Sequence, residues 1–251
     1  MRRRLALSSL LVTLACAPVT STTPAPAPAP APSTASSATR IAPKEIRWSR
    51  VSAEHRAAVL QAYAVALREL EQAARGLPAG SWAVISDADE TLIDNSTYQR
   101  ERALLDSGFT AASWDAWVRR RQATAMPGAL VFSRRVAELG GRLFVVTNRD
   151  EVQCDATREN ILALGIHSDA VFCQPTGAPG DKNPRFVAVA AGTRGFPPQR
   201  VLMWLGDNIQ DFPQLTQAVR EQGDAAFADF GRRYIIIPNP MYGSWERNQD
   251  R

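Results

Sequence analysis

Trp82-Ala83-Val84-Ile85-Ser86-Asp87-Ala88-Asp89-Glu90-Thr91 is the stretch whose reading decides the fold. Trp82 to Ser86 is apolar or small on successive positions, as in a strand buried on both faces. The run then stops at two carboxylates spaced two apart. Similar short runs recur at Leu143–Thr147, Ala170–Cys173, Val201–Leu205 and Tyr234–Ile237, with helical stretches between them. Such alternation predicts an α/β fold, a parallel, doubly wound sheet with helices on both sides. Ahead of the first run, Ser52 can cap a helix whose apolar residues Val59, Tyr63, Leu67 and Leu70 recur at helical spacing, ended by Gly76.

Open parallel sheets bind ligands at the carboxyl ends of their strands. The first predicted strand ends in Asp87–Thr91, the second in Thr147-Asn148-Arg149 and the fourth in Gly206-Asp207-Asn208-Ile209-Gln210-Asp211; Asp181-Lys182 lies between the third and fourth. One acidic loop alone is ordinary turn or cap chemistry. Four polar clusters of different types on one sheet edge point to a site, and the types fit phosphoryl transfer. Asp87 can attack phosphorus and carry a covalent intermediate. Asp89 can protonate the leaving oxygen and then deprotonate water. Carboxylates facing a phosphate repel it, so cations are required. Mg²⁺ is the expected cofactor, with Asp87, Asp89, Asp207 and Asp211 as candidate ligands. Lys182 adds positive charge, and Thr147 with Asn148 can hydrogen-bond the phosphate oxygens.

Other phosphatase chemistries fail on residue content. Cys154 has Arg158 four residues on rather than six, Cys173 has no arginine nearby, and His55 and His167 are followed by Arg56 and Ser168 rather than glycine. Two remote histidines cannot build a dinuclear metal site.

The chain has 251 residues, 45% hydrophobic and 22% charged, which suits one or two soluble domains. No apolar run approaches the ~18 residues of a membrane-spanning helix. Arg2-Arg3-Arg4 followed by apolar Leu5 to Ala15 reads as a secretory leader. Removing those three arginines takes the formal charge from +4 to +1, so no nucleic-acid polymer is expected as a partner. Thr13-Leu14-Ala15-Cys16 resembles a bacterial lipoprotein cleavage site, with Thr13 where Leu is usual. Cys16 is therefore the expected lipidation site and membrane anchor, residues 1–15 the leader and 16–43 a tether. Pro24, Pro26, Pro28, Pro30 and Pro32 alternate with alanine there, an extended composition that cannot bury a core. Residues 44–251 form the expected folded domain.

Asp87–Asn95 (DADETLIDN), Val146–Arg149 (VTNR), Lys182 and Gly206–Phe212 (GDNIQDF) resemble the four motifs of the haloacid-dehalogenase (HAD) superfamily. More narrowly, Trp114-Asp115-Ala116-Trp117-Val118, Arg121-Gln122, Pro127-Gly128-Ala129 and Pro238–Glu246 (PNPMYGSWE) resemble the bacterial class C acid phosphatases, the outer-membrane lipoprotein e type of 5'-nucleotidase. The similarity runs from about Trp48 to Trp245. It implies a Mg²⁺-dependent phosphomonoesterase with a three-layer Rossmann-like core. Residues 95–128 and the N-terminal helix would form a small helical cap, with Ser113 starting a helix. The resemblance also implies that Trp114 and Tyr242 stack on a nucleotide base, although aromatics spaced like Trp114 and Trp117 are commonly core. It places the protein in the cell envelope as an outer-membrane lipoprotein and allows a homodimer. A tethered binding protein on the same scaffold, or a phosphotransferase, are the rival readings.

Cys154 and Cys173 remain. A helix opening at Cys154 starts at the sheet edge where Cys173 ends its strand, so the sulfurs could meet; two separate buried thiols are the alternative.

Overall fold

The computed structural model describes residues 41–249; the leader, Cys16 and nearly all of the tether lie outside them. The described residues open with α1 (Lys44–Val51), a helix not expected from the residue pattern, and α2 (Ala53–Ala73). Ser52 does cap α2, its side chain accepting from the His55 N–H at 3.0 Å. The buried stripe is Val59, Tyr63, Ala66 and Leu70, with Leu67 half-buried beside it.

Then follow β1 (Trp82–Ser86), β2 (Ile93–Asp94), α3 (Ser96–Leu104), α4 (Ala111–Arg120), β3 (Thr124–Ala125), α5 (Ala129–Glu138) and β4 (Arg142–Asp150). The chain continues through α6 (Cys154–Ala163), β5 (Ala170–Gln174), α7 (Asn183–Ala191), β6 (Arg200–Gly206) and β7 (Tyr234–Ile236). Five strands form one sheet in the order β5-β4-β1-β6-β7, every pair parallel. In β1 and β4 alternate residues enter different cores. Trp82, Val84, Leu143 and Val145 pack with α2, α5 and α6. Ala83, Ile85, Phe144 and Val146 pack instead with Phe186 and Val189 of α7 and with Phe212. That two-sided burial is why the strands read as continuous apolar runs.

From β1 the chain moves outward through β4 to β5, then returns to the other side of β1 for β6. The carboxyl ends of β1 and β6 therefore flank the point where the winding reverses, and such a crevice binds ligands in this architecture. Asp87 and Asp207 are the residues that follow those two strands.

The insert between β1 and α5 departs from the sequence reading. It holds two helices, broken around Asp106 with φ +53°, and a small antiparallel pair, Ile93 with Ala125 and Asp94 with Thr124, that brings its two ends together. Thr110, not Ser113, caps α4. Thr110 Oγ1 accepts from the Ser113 N–H at 3.1 Å and Ser113 Oγ accepts in return from the Thr110 N–H, a reciprocal box that starts the helix three residues earlier. Trp117 is core, its Nε1–H donating to Asn95 Oδ1 at 2.8 Å.

Cys154 and Cys173 are joined in a disulfide, with Cα atoms 5.8 Å apart, tying the start of α6 to the end of β5. Among the described residues no helix is long and apolar enough to cross a membrane.

Candidate active site

Asp87, Asp207 and Asp211 each offer a carboxylate oxygen within 4.8 Å of the others. Asp87 leaves β1 with its N–H bonded to Leu205 O, which fixes it beside β6. Asp211 can reach back only because residue 206 is glycine: a Cβ there would lie 2.2 Å from the Asp211 Cβ. Asp211 Oδ2 accepts the Asn208 N–H at 2.9 Å, and Asp207 Oδ2 accepts from Asn239 Nδ2 at 2.8 Å. Lys182, at the N-cap of α7, is 4% exposed and donates from Nζ to Asp87 Oδ1 at 2.5 Å and to Asp211 Oδ1 at 2.6 Å.

Electrostatics follow from this crowding. Burial raises Asp87 to about 7, with the neighbouring charges of Asp211 and Asp89 adding to it against the pull of Lys182. Burial, then Asp211 and Asp87, hold Asp207 well above the carboxylate range. Burial works to lower Lys182, but Asp211 and Asp87 more than offset it and keep the ammonium charged. Were all three carboxylates ionised, the one ammonium would leave two negative charges unbalanced, and that is the state a bound cation would favour. A hard divalent cation with oxygen preference matches both that deficit and the donor set. The residues present thus fit a metal.

Asp89 is placed differently. Its carboxylate faces Arg149, which donates from Nη2 to Oδ1 at 2.7 Å and from Nε to both oxygens at 3.0 and 3.1 Å. Asn95 Nδ2 adds a fourth bond at 2.8 Å. Just after Asp89 the chain turns through Glu90 at φ +50°, whose buried carboxylate accepts the Asn95 N–H at 2.9 Å. Burial, then Asp89 and Asp207, raise Glu90 well above its ordinary value.

The end of β4 supplies the remaining expected groups. Thr147 is buried; its Oγ1 accepts the Arg149 N–H at 3.1 Å, leaving the hydroxyl hydrogen available. Asn148 is committed to structure, Nδ2 donating to Gly180 O at 2.8 Å while Oδ1 accepts from Arg185 at 2.5 Å. Arg185 also donates to Thr147 O at 2.5 Å, clamping the β4 end to the loop that carries Lys182.

Trp114 and Tyr242 border the same cavity: with Phe109, Gln99, Met241 and Glu246 they line a mainly apolar space of about 410 Å³. Each wall is one residue from the acids: Trp114 lies against the Arg149 guanidinium, 5.2 Å from Cζ to ring centroid, and Tyr242 O accepts from the same Asn239 Nδ2 that holds Asp207.

Residues 5–245 match the model of HAD superfamily subfamily IIIB (acid phosphatase). The chain belongs to that family. Two solved structures of the class C acid phosphatase from Bacillus anthracis, one with tungstate bound, are 28% identical to it. Each covers 80% of this chain and 85% of the other, with TM-scores of 0.71 and 0.69. "Acid phosphatase 1" of Solanum lycopersicum is 32% identical over 83 residues, 33% of this chain and 32% of that protein; the match spans about a third of the tomato protein's length.

Family membership agrees with the fold and with the motif residues gathered at the crevice. Four site residues had no role in the sequence reading: Arg149, Asn95, Arg185 and Asn239. For the two arginines the available signal was charge, since five acids at the strand ends outnumber Lys182 and Arg149; Asn95 and Asn239 carried no such signal.

Proposed function

We propose that the protein is an exported, Mg²⁺-dependent acid phosphatase that hydrolyses phosphomonoesters, 5'-nucleotides among them, through an aspartyl-phosphate on Asp87. The observation that carries the reading is the placement of Asp87 at the winding reversal, among two more carboxylates and a buried lysine. Lys182 holds Asp87 Oδ1, so Oδ2 is the oxygen aimed at phosphorus. As the Asp87–phosphorus bond forms, the bond to the leaving oxygen breaks and Asp89 gives that oxygen a proton. Asp89 then takes a proton from water as the water oxygen attacks phosphorus and the Asp87 carboxylate departs. The third Lys182 N–H and the free Thr147 hydroxyl hydrogen can meet the phosphate oxygens. A bound Mg²⁺ would supply the positive charge that keeps Asp87 ionised and offsets the phosphate dianion.

The tungstate-bound relative supports an oxyanion site, since tungstate is tetrahedral like phosphate. The aromatic cavity supports a nucleoside leaving group: Trp114 and Tyr242 offer ring faces to a base, one residue removed from Asp89 and Asp207. Export and outer-membrane anchoring through Cys16 rest on the leader and the proline-alternating tether.

The test is turnover of nucleoside 5'-monophosphates and small phosphomonoesters by purified protein, with Mg²⁺ and with chelator. Activity lost to chelator, restored by Mg²⁺ and abolished in Asp87→Asn is expected. Full activity in chelator, or in Asp87→Asn, overturns the mechanism.

A further inference from the structure

Arg149 is 2% exposed and carries more restraints than an ion pair needs. Its Nε and Nη2 hold Asp89, Nη2 also reaches Asn95 Oδ1 at 3.1 Å, and Nη1 donates to Thr157 Oγ1 at 3.2 Å. The guanidinium face lies on the Trp114 ring. Four of its five N–H hydrogens are directed, and the plane has one orientation. The bonds it makes with Asn95 fall unequally on Asp89. Oδ1 receives Nη2 at 2.7 Å, Asn95 Nδ2 at 2.8 Å and Nε at 3.0 Å, whereas Oδ2 receives only the Nε contact at 3.1 Å. One oxygen is saturated and the other is left nearly open.

We propose that Arg149 is a positioning residue for proton transfer: with Asn95 it locks Asp89 by Oδ1 and presents Oδ2 to the leaving oxygen. This rests on the reading of Asp89 as the general acid. Proton transfer requires the donor within hydrogen-bond reach of the oxygen it serves, so fixing which carboxylate oxygen faces the substrate bears directly on the rate. A lysine cannot replace this arrangement, because one ammonium point cannot reach Asp89, Asn95 and Thr157 from a plane stacked on Trp114.

The test compares kcat/KM for an alkyl phosphomonoester, whose leaving oxygen needs a proton, with that for p-nitrophenyl phosphate, whose leaving group does not. Arg149→Lys in the full chain is expected to lose about 10²-fold on the alkyl ester and less than about tenfold on the aryl ester, within the range of general acid catalysis. The inhibition constant of inorganic phosphate should stay within about threefold, because phosphate meets Lys182 and Thr147 rather than Arg149. Thr157→Val removes the Nη1 acceptor, together with the Thr157 hydroxyl bond to Gln153 O at the start of α6, and leaves the Asp89 and Asn95 bonds. It should show the same skew at about three- to tenfold, which covers a failure of Arg149→Lys to fold. Equal losses on both esters in either variant overturn the positioning role. Wild-type protein inactive on both esters, or active Asp87→Asn, sinks the phosphatase reading itself, a result distinct from equal losses.

Discussion

Stability of the metal-free protein should fall as pH rises from 5 to 8, and Mg²⁺ should reverse the fall. In the folded chain Asp87 holds its proton up to about 7, against 3.8 for an ordinary aspartate, chiefly because it is buried. Between those values the folded chain binds a proton that the unfolded chain has released, so each step up in pH favours unfolding. One pH unit is worth about 1.4 kcal/mol for one group, which gives about 4 kcal/mol in all and about 3 kcal/mol between pH 5 and 7. Asp207 and Glu90, also raised by burial, act in the same direction. The raised Lys182 contributes stability that is lost only above the ordinary lysine range. Glu101, Asp115 and Asp150, lowered by hydrogen bonds from Arg120, Arg119 and Thr176, contribute stability already complete above the carboxylate range, so they are flat across this window.

For a domain of this size about 3 kcal/mol corresponds to roughly 6–12 °C in Tm. The assay is thermal unfolding of chelator-treated protein in buffers from pH 5 to 8, repeated with Mg²⁺. A cation competes with protons for the carboxylates, so it should stabilise more at pH 8 than at pH 5. A metal-free midpoint that is flat or rises over this range refutes the reasoning. So does an equal gain from Mg²⁺ at both ends.

Trp114→Ala or Tyr242→Ala should weaken nucleoside monophosphates by about 1–3 kcal/mol, the worth of a base on an aromatic face, and spare small phosphates; kcat/KM on both substrate types checks it. Replacing Cys154 and Cys173 with serine opens the link between positions 19 apart, and chain entropy predicts a loss of about 3 kcal/mol by urea unfolding under non-reducing conditions. Cys16→Ser should move the protein from the detergent phase to the aqueous phase at unchanged specific activity, as detergent partitioning will report.

The central strands were legible because they are buried on both faces: Val84 and Ile85 enter opposite cores, so the sequence shows unbroken apolar runs. The site was legible for a related reason. A parallel sheet delivers every strand end to one edge, so residue types at the ends could be read as a set before any distance was known. The pair Ile93–Asp94 with Thr124–Ala125 was invisible, since two residues cannot show a period of two. The start of α4 was ambiguous for a local reason: Thr110 and Ser113 are both capping residues, and the reciprocal box uses both.

Asp89 shows where residue type stops short. Spacing alone groups it with Asp87 as a second carboxylate for a cation. The turn at Glu90, with φ +50° and its side chain bonded to Asn95, accompanies a different placement: Asp89 faces Arg149, 60 positions along the chain. Arg149 is present in the motif Val146–Arg149, but a sequence states that an arginine is there, not which acid it reaches. A buried guanidinium with one carboxylate, one amide and one hydroxyl around it is fixed by partners from two distant segments, the Asp87–Asn95 motif and α6. The nucleophile and the acid are thus separated by environment rather than by type. Asp87 sits beside an ammonium and two further carboxylates, where a cation can bind, and Asp89 sits in an arginine fork with one oxygen nearly open. Two aspartates two residues apart divide the chemistry because the chain bends at Ala88 between them and turns again at Glu90.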